Sequence, residues 1–382
     1  MADLNAPAMK KVIFNGKFLS ERITGVGRVA EELIRAIDKL RAEGHPLAKT
    51  PFELVRPAKS RKLLSLNTIV ERAEGSLPRI AWEQLVLARI ARGALLVNLC
   101  NLAPLSRRGD LVMIHDVQAR TSPESYSRAF VAWYRWALPI LGRRAAHILT
   151  VSEHSRRSLA SFGIAPLEKI SVIPNGADHI LRSPANPAAV QRLGLERHRF
   201  VLSQATAQRH KNVALLIRAF GDPRLAHLKL ALFGAGKPED FRRLGAPMPA
   251  NVVFAGPVND GELRGLMEAS LCYACPSLTE GFGLPPLESM LAGSPAVVTD
   301  AGALPVTCGS AALYAAPDDP ASWVTAFLQL EADPEQRRLR IAEGQRHAEQ
   351  FTWARSALML LGHIAERATL TAPARRTGGP VP

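Results

Sequence analysis

Two glutamates eight positions apart, Glu280 and Glu288, are the residues of this 382-residue chain best placed to do chemistry. The apolar residues 271–274 before them predict a buried strand, and the Pro-Pro pair between them predicts a helix with Glu288 in its first turn. The glycine-rich loop between the acids lets the backbone approach a ligand closely. Carboxylates bind sugar hydroxyls, whereas free N–H groups at a helix start bind phosphate. The pattern therefore indicates a site for a sugar nucleotide.

Residues 280–288, Glu-Gly-Phe-Gly-Leu-Pro-Pro-Leu-Glu, resemble the paired-glutamate signature of retaining GT-B glycosyltransferases, in particular glycosyltransferase family 4. The alternative, a turn-capping Glu280 and a solvated Glu288, does not account for the glycines, the prolines and the preceding strand. From about Lys11 to Ala368 the chain is similar to bacterial mannosyltransferases of surface-polysaccharide assembly. The resemblance implies an α/β GT-B fold, with two Rossmann-like, doubly wound domains facing a central cleft and a C-terminal helix returning to the first domain.

A histidine at a predicted strand end is the expected catalytic residue of the first domain. His115 and Asp116 directly follow the apolar strand 111–114, in an arrangement similar to the Ile-His-Asp of family members. The resemblance implies that a neutral His115 lies against the transferred sugar, while a nearby carbonyl stabilises positive charge at the anomeric carbon. Gly25 and Gly27, in a predicted loop, are expected to approach from the neighbouring sheet edge. The alternative is a histidine that only serves a turn.

A cationic segment, residues 208–212 (Gln-Arg-His-Lys-Asn), lies between a predicted strand and a helix that begins at Val213. Its resemblance to the family's Lys-Asn implies that Lys211 contacts the donor diphosphate, with Arg209 as a helper, because a cation stabilises the departing nucleotide. Some relatives carry an arginine six residues before this lysine, where this chain has Ala205, so the second phosphate cation stays open. Basic residues at helix starts are also common without any such role.

The resemblance assigns further residues to the donor. Residues 255–258 are similar to the segment whose backbone meets the nucleotide base, and Glu288 is expected to hold the ribose hydroxyls. The expected catalytic residues are His115, Glu280 and Lys211. The expected donor-binding residues are Gly25, Gly27, Arg209, Lys211, Val258, Glu280, Gly281, Phe282, Gly283, Leu284 and Glu288. Because main-chain atoms select the base, the sequence does not separate UDP from GDP.

No metal ion and no cofactor are expected at this site. The sequence has no Asp-x-Asp in a nucleotide-sugar setting, and Asp318 with Asp319 is typical of a turn. Lys211 and helix N-termini supply the positive charge that a divalent ion would otherwise provide. No carboxylate is a convincing nucleophile, because Glu280 belongs to the sugar site. Retention is therefore expected through attack on the same face, with a donor phosphate oxygen taking the acceptor proton.

The length of 382 residues predicts two domains, since single cores stop growing well below this length. Short apolar strands alternate with helical stretches on both sides of a gap in periodicity that ends near Ala188, as two helix-covered parallel sheets require. The predicted parts are a flexible N-terminus at 1–10, an acceptor-side domain at 11–180, a nucleotide-sugar domain at 181–350, a return helix at 351–368 and a disordered tail at 369–382.

The net charge of +14 indicates an anionic partner or serves solubility alone, and the sequence leaves both open. Nucleic acid is not expected, because basic residues are scattered, aromatic residues are only 6% and no nucleic-acid motif occurs. Residues 126–144 interleave aromatic and basic side chains, which suits an anionic membrane surface that carries a lipid-linked acceptor. The same aromatic side chains also suit the domain core.

The four cysteines are too few for a disulfide framework, and Cys272 with Cys275 is interpreted as a buried pair on a strand rather than a metal or redox site. No apolar run approaches the ~20 residues that span a bilayer, and residues 1–11 have no apolar signal core. We expect a cytoplasmic protein, peripheral on the inner face of the plasma membrane if its basic helix binds lipid.

These observations predict a retaining, metal-independent glycosyltransferase that moves a hexose, with mannose from GDP-mannose as first expectation, to a glycan or lipid-linked acceptor. A UDP-sugar donor is the first alternative. A sugar-nucleotide 2-epimerase would need additional acid and base carboxylates, which the sequence does not show. A non-catalytic nucleotide-binding scaffold would not need the full set of His115, Lys211 and the two glutamates. The acceptor, the linkage and the oligomeric state stay open.

Overall fold

The computed structural model describes residues 11–21, 24–63 and 66–369 of the chain. The predicted flexible N-terminus, 1–10, lies outside the described residues, and so does the predicted tail apart from Thr369, which ends the last helix. Two parallel β-sheets form within the described part. We call residues 11–172, together with the last helix, the first lobe, and residues 200–348 the second lobe.

The first lobe is built on a sheet with seven strands in the described residues. The strands are β1 Val12–Asn15, β2 Phe52–Arg56, β3 Val70–Ala73, β4 Leu95–Asn98, β5 Leu111–Met113, β6 His147–Thr150 and β7 Ile170–Val172. Their order is β3-β2-β1-β4-β5-β6-β7, and every pairing is parallel. The sequence pattern predicts neither β2 nor β3. The edge strand β3 is Val-Glu-Arg-Ala and has no buried residue, so it carries no apolar signal.

The second lobe repeats the same order with six strands in the described residues. The strands are β8 Phe200–Gln204, β9 Lys229–Phe233, β10 Val252–Gly256, β11 Cys272–Cys275, β12 Ala296–Val298 and β13 Leu313–Tyr314. Their order is β10-β9-β8-β11-β12-β13, again entirely parallel. Both lobes are therefore doubly wound, as predicted. Cys272 and Cys275 are the end residues of β11 and are buried free thiols, in agreement with the sequence interpretation.

Helices cover both sheets. In chain order they are α1 Gly25–Ala42, α2 Arg79–Ala81, a π-helical stretch Trp82–Leu87, α3 Ala88–Ile90, α4 Gln118–Thr121, α5 Arg128–Arg144, α6 Glu153–Ser161, α7 Ala188–Arg192, α8 Val213–Ala219, α9 Pro238–Arg242, α10 Asp260–Ala269, α11 Leu284–Leu291, α12 Leu304–Cys308, α13 Pro320–Ala332, α14 Pro334–Ala348 and α15 Trp353–Thr369. The sequence pattern does not predict α13. Asp319 caps this helix by accepting from the N–H groups of Ala321 and Ser322, so it belongs to a helix start rather than a simple turn.

The last helix crosses back to the first lobe. Its apolar face, which includes Leu360, Leu361 and Ile364, is buried in the same core as the apolar face of α1. The crossing occurs where residue 176 meets residue 353. A Cβ at Gly176 would lie 2.2 Å from the backbone nitrogen of Trp353, so only glycine allows this approach. The chain changes sheet between residues 172 and 200, and the predicted boundary at 180 lies inside this interval.

Within residues 11–21, 24–63 and 66–369, no helix combines the length and the apolar character that a bilayer span requires.

Candidate active site

Two loops at the centre of the second sheet carry the principal charged pair. Strands β8 and β11 are neighbours in this sheet although they are not consecutive in the chain. Loops that leave the carboxyl ends of such strands enclose the crevice in which doubly wound sheets bind ligands. Lys211 lies in the 3-10 turn Arg209–Lys211 after β8, and Glu280 lies in the loop after β11. Their side chains meet there, with Lys211 Nζ 2.7 Å from Glu280 Oε1.

The Lys211–Glu280 pair is largely buried, with 23% and 11% of the side-chain surface exposed. Burial alone raises the pKa of Glu280, but the Lys211 ammonium and the Ser277 hydroxyl outweigh it and hold that pKa below its usual value. Burial alone lowers the pKa of Lys211, but the Glu280 carboxylate outweighs it and raises that pKa. Both groups are therefore charged at neutral pH. A fixed cation and a fixed anion in one crevice suit a ligand with both phosphate and hydroxyl groups.

The Glu280 loop is held in place by hydrogen bonds and close contacts to residues that the sequence pattern does not single out. Ser277 Oγ donates to Glu280 Oε1 at 2.7 Å, and Ala303 N donates to the Glu280 carbonyl at 3.0 Å. Gly302 has a φ of +63°, and a Cβ there would lie 2.5 Å from the Glu280 nitrogen, so glycine is required. A serine before an acid and a glycine after a strand are common, so these positions give little signal in the sequence.

Glu288 is fixed by a histidine that links it to the last helix. Helix α11 begins at Leu284, so Glu288 starts its second turn and the predicted position in the first turn is wrong. His179 Nε2 lies 2.9 Å from Glu288 Oε1, and the indole N–H of Trp353 donates to His179 Nδ1 at 3.1 Å. Because an indole only donates, Nδ1 carries no proton and the Nε2–H donates to the carboxylate. His179 and Trp353 are 174 residues apart in the chain, so the sequence pattern does not indicate this relay.

The first lobe contacts the Glu280 loop at Gly281. Ser152 Oγ and Ser155 Oγ donate to the Gly281 carbonyl at 2.6 Å and 3.2 Å. A Cβ at Gly281 would lie only 3.2 Å from the carbonyl oxygen of His115. Because the carbonyl and the following N–H of a trans peptide point in opposite directions, this contact turns the Phe282 N–H away from the serines. The two lobes therefore meet at the loop that carries the first carboxylate.

His115 follows β5, as predicted, and is buried at the same junction. Its Nε2–H donates to the Leu99 carbonyl at 2.8 Å, and its backbone N–H donates to Asn101 Oδ1 at 2.8 Å. Burial lowers the pKa of His115 to about 4, so the ring is neutral at neutral pH. Asp116 is the next residue, and burial raises the pKa of its carboxyl group. The first lobe thus brings a neutral ring and an acid to the Gly281 contact.

The residues after Gly281 offer their backbone rather than their side chains. The Phe282 ring packs edge-to-face on Phe351, with centroids 5.9 Å apart, and belongs to the second-lobe core. Gly283 has a φ of +95°, and Leu284 is the first residue of α11. Among the described residues, the N–H groups of 281–284 have no hydrogen-bond partner. Unpaired backbone amides of this kind suit an anion or a hydroxyl, and these lie beside Glu280.

The first-lobe glycines lie in a helix, and two predictions about them are wrong. Gly25 and Gly27 belong to the first turn of α1, where the side chain of Thr24 accepts from Gly27 N at 3.1 Å, instead of a loop before the helix. Strand β4 separates β1 from β5, so these glycines do not follow the strand next to that of His115. Thr24, directly before them, is a residue type that caps helices, and in the sequence it indicates that a helix starts here.

A salt bridge joins the first turn of α1 to the start of α10, which follows the predicted base-contact segment 255–258. Arg28 donates to Asp260 at 2.6 Å, and Asp260 is the first residue of α10. Val258 lies just before that helix and packs against the second-lobe core. This contact brings the first turn of α1 and the Val258 segment to facing sides of the cleft.

Arg209 is exposed and lines a cavity of about 400 Å³ together with Arg218 and Arg243, whereas Lys211 does not line it. The helper role of Arg209 stays a prediction.

Two protein-family models match the chain, one on each lobe. The model described as Glycosyltransferase Family 4 matches residues 23–180, and the model described as Glycosyl transferases group 1 matches residues 198–333. The chain belongs to glycosyltransferase family 4. The resemblance stated from the sequence is thereby confirmed.

Among curated proteins, this family 4 glycosyltransferase is similar to several mannosyltransferases. It is 30% identical over 249 residues to O-antigen chain mannosyltransferase B of Escherichia coli, an alignment that covers 63% of this chain and 65% of that protein. It is 26% identical over 256 residues to O-antigen chain mannosyltransferase RfbU of Salmonella typhimurium, covering 65% of this chain and 68% of that protein. The chain therefore spans about two thirds of the length of these relatives. The MMP alpha-(1->4)-mannosyltransferase of Mycolicibacterium hassiacum is 26% identical over 346 residues, which is 79% of each protein.

Solved structures share the architecture of this family 4 glycosyltransferase. Sucrose-phosphate synthase from Thermosynechococcus elongatus has a TM-score of 0.71 and 18% identity, covering 94% of this chain and 98% of that one. HepE from Anabaena, determined in complex with UDP and glucose, has a TM-score of 0.68 and 21% identity over 94% and 98% of the two chains. These likenesses confirm the predicted GT-B fold.

The buried ion pair predicts a pH-dependent stability defect. Lys211→Met leaves Glu280 buried without its cation, and we expect a loss of about 3 kcal/mol in the free energy of unfolding at pH 7. In the variant, the folded carboxyl binds a proton more readily than the unfolded one, so the defect should shrink as the pH is lowered from 7 toward 5. Denaturant unfolding at each pH measures this change.

Two controls accompany that measurement. The double variant Lys211→Met/Glu280→Gln removes the unpaired charge and should recover more than half of the lost stability. Arg338→Met breaks an exposed pair with Glu335 and should change stability by less than about 0.5 kcal/mol. A defect of Lys211→Met that is the same at pH 5 and pH 7 would contradict the assignment of a charged, buried pair.

Proposed function

We propose that this chain is a retaining, metal-independent glycosyltransferase that moves mannose from GDP-mannose to a glycan or lipid-linked acceptor in polysaccharide biosynthesis. The observation that carries the proposal is the Lys211–Glu280 pair at the point of the second sheet where doubly wound folds bind ligands. A cation for phosphate and a carboxylate for hydroxyls stand side by side there. The names of the relatives support a mannosyl donor.

In the proposed donor complex, Lys211 binds the diphosphate and the Glu280 loop binds the sugar. Three side-chain donors of the described residues bond Glu280, namely Lys211 Nζ, Ser277 Oγ and Cys275 Sγ. All three use Oε1, so Oε2 is available to a sugar hydroxyl. The free N–H groups of 281–284 lie beside it. Glu288, oriented by His179, takes the ribose hydroxyls in this proposal. Each ligand group thus meets a protein group of matching chemistry.

The proposed reaction breaks the bond between the anomeric carbon and the donor phosphate oxygen, and it forms a bond to the acceptor oxygen on the same face. The acceptor proton goes to a phosphate oxygen of the leaving nucleotide. Lys211 stabilises the charge that develops on that phosphate. The neutral His115 ring and its backbone carbonyl, which faces Gly281, lie on the first-lobe side of the sugar. Glu280 is tied to Lys211, which favours a sugar-binding role over that of a nucleophile.

A UDP-sugar is the second candidate donor. The Val258 segment offers main-chain atoms to a base, and a solved structure of the same fold was determined in complex with UDP-glucose. Thermal unfolding of the wild type with GDP, GDP-mannose, UDP and UDP-glucose separates the two, since a ligand that binds only the folded state raises its melting temperature. No stabilisation by any of the four would contradict the proposed function.

Turnover should depend on Lys211. Removing one preorganised cation from the leaving group should cost about 2–4 kcal/mol of transition-state stabilisation, so Lys211→Met should lower kcat/KM by roughly 30- to 1,000-fold. Donor turnover by the folded variant at 15 °C measures the loss. Arg346→Met, which removes an exposed charge of α14, should keep wild-type turnover. Comparable rates in Lys211→Met and Arg346→Met would remove the phosphate role.

Activity should survive chelation. Lys211 and the backbone amides provide the positive charge, so EDTA should change the transfer rate by less than about twofold. Added Mg²⁺ or Mn²⁺ after EDTA gives the complementary measurement. A strict requirement for either ion would show that the phosphate site has been misassigned.

The proposed acceptor surface is the outer face of α5. Arg128, Arg135 and Arg143 are exposed on this helix together with Phe130 and Trp136. By contrast, Trp133 and Tyr134 pack on the first-lobe core, and Arg144 donates to the Leu105 carbonyl. An exposed face with cations and aromatic rings suits an anionic membrane that presents a lipid-linked acceptor. We therefore propose a peripheral position for the protein on the cytoplasmic face of the membrane.

Binding to anionic vesicles should depend on that face. Vesicle sedimentation at low salt should detect binding that weakens toward physiological salt, where screening limits charge attraction to about 8 Å. Replacing Arg128, Arg135 and Arg143 with Gln should weaken this binding without changing donor affinity. Replacing the exposed Arg197, Arg346 and Arg355 with Gln removes the same charge elsewhere and should have a smaller effect. Equal effects of both triple variants would assign the binding to net charge alone.

A further inference from the structure

His210 is a buried residue of the crevice that none of the roles above uses. It lies directly before Lys211 in the 3-10 turn, and only 1% of its surface is exposed. Its carbonyl accepts from Leu278 N at 2.7 Å, which ties the turn to the loop that carries Glu280. The backbone of His210 therefore connects the two loops that form the proposed donor site.

The first lobe also contacts this ring. His210 Nδ1 lies 2.9 Å from Ser125 Oγ, and the ring stacks on Tyr126 with centroids 6.1 Å apart and planes 17° apart. Tyr126 is itself fixed, because its hydroxyl donates to Gln118 Oε1 at 3.0 Å. The first lobe thus sets the orientation of the imidazole, while the second lobe holds the backbone of His210, and one ring nitrogen is already engaged.

The other ring nitrogen has no partner. His210 Nε2 is buried and makes no hydrogen bond to any residue in the described ranges 11–21, 24–63 and 66–369. Buried polar atoms in folded proteins are almost always hydrogen-bonded, and an exception calls for a missing partner. Since the ring is fixed from two sides, a rotation of His210 does not supply that partner. A ligand in the crevice can supply it.

The chemistry of the ring selects the kind of ligand atom. Burial lowers the pKa of His210 to about 4, and the Lys211 ammonium acts in the same direction, so the ring is neutral. A neutral imidazole has one N–H and one lone pair, and Ser125 engages Nδ1. A hydroxyl both donates and accepts, so it matches Nε2 in either tautomer, whereas a phosphate oxygen only accepts. The adjacent Lys211 already supplies the cation for phosphate.

We propose that His210 Nε2 hydrogen-bonds a hydroxyl of the transferred sugar, which makes His210 a residue that recognises the sugar of the donor and not its nucleotide. This inference rests on the proposed function. It adds a neutral partner from the β8 loop to the carboxylate and amides of the β11 loop. The sugar is then held from both loops, while the first lobe holds His210 through Ser125.

Two substitutions separate the ring nitrogens. The amide of His210→Asn reaches about as far as Nδ1 and keeps a partner for Ser125, whereas the amide of His210→Gln reaches about as far as Nε2. The probes are GDP-mannose with GDP, or UDP-glucose with UDP, whichever pair stabilises the wild type. Calorimetric dissociation constants are measured for both ligands of the pair. Melting temperatures of the ligand-free variants report any loss of packing separately.

We expect His210→Asn to weaken binding of the nucleotide sugar about tenfold, as for the loss of one buried hydrogen bond, and to change nucleoside diphosphate binding by less than twofold. His210→Gln should retain more sugar-nucleotide affinity than His210→Asn. Ser125→Ala, which leaves Nε2 in place, should also keep most of that affinity.

Two results would overturn the inference while leaving the proposed function intact. One is that His210→Asn discriminates between the sugar nucleotide and the nucleoside diphosphate as strongly as the wild type does. The other is an equal loss for both ligands, which would assign His210 to packing or to the phosphate. Failure of the wild type to bind any of the four ligands would instead remove the proposed function, and the inference with it.

Discussion

The arrangement of the crevice depends on the ion pair between Lys211 and Glu280. Burial opposes the charge on each side chain, and each is charged because the other is present. The two residues are 69 positions apart, on loops that only the pairing of β8 with β11 brings together. A change that displaces either strand therefore leaves a charge without its partner in a dehydrated environment, which is far more costly than the loss of an exposed pair. The electrostatics of the site and the order of the sheet are thus coupled.

The sequence predicts those elements whose own residues carry an apolar pattern or a helix-start motif. The apolar run before Glu280 becomes β11, and the Pro-Pro pair lies in the first turn of α11. Strand β3 has no buried residue, so its sequence carries no apolar pattern that predicts a strand. It forms because it pairs with β2. The same distinction applies to the site. Lys211 and Glu280 lie in sequence segments that resemble family motifs. Their contact with each other joins residues far apart in the chain, as do the contacts of His179 and His210, so the sequence does not predict these contacts.

The lobes contact each other differently at the two ends of the cleft. Near the crossing of the chain, Ala177 and Ile180, which lie in the segment between the two lobes, are buried in one apolar cluster with second-lobe residues and the first-lobe residue Val151. Around the crevice the contacts are polar, as in the serine contacts to Gly281 and the bond between Arg28 and Asp260. Polar contacts exchange with water at little cost, whereas apolar contacts do not.

The relay from Trp353 through His179 to Glu288 has a consequence for the order in which the molecule is made. A ribosome releases the chain from its N-terminus, so Glu288 and both sheets emerge before the last helix does. Until Trp353 arrives, Glu288 is the one relay partner of the His179 ring, and Nδ1 lacks the indole N–H from which it accepts. The second carboxylate therefore acquires its final hydrogen-bond geometry only after residue 353 has been synthesised. A nascent chain stalled before residue 353 would have both sheets and still lack a finished crevice.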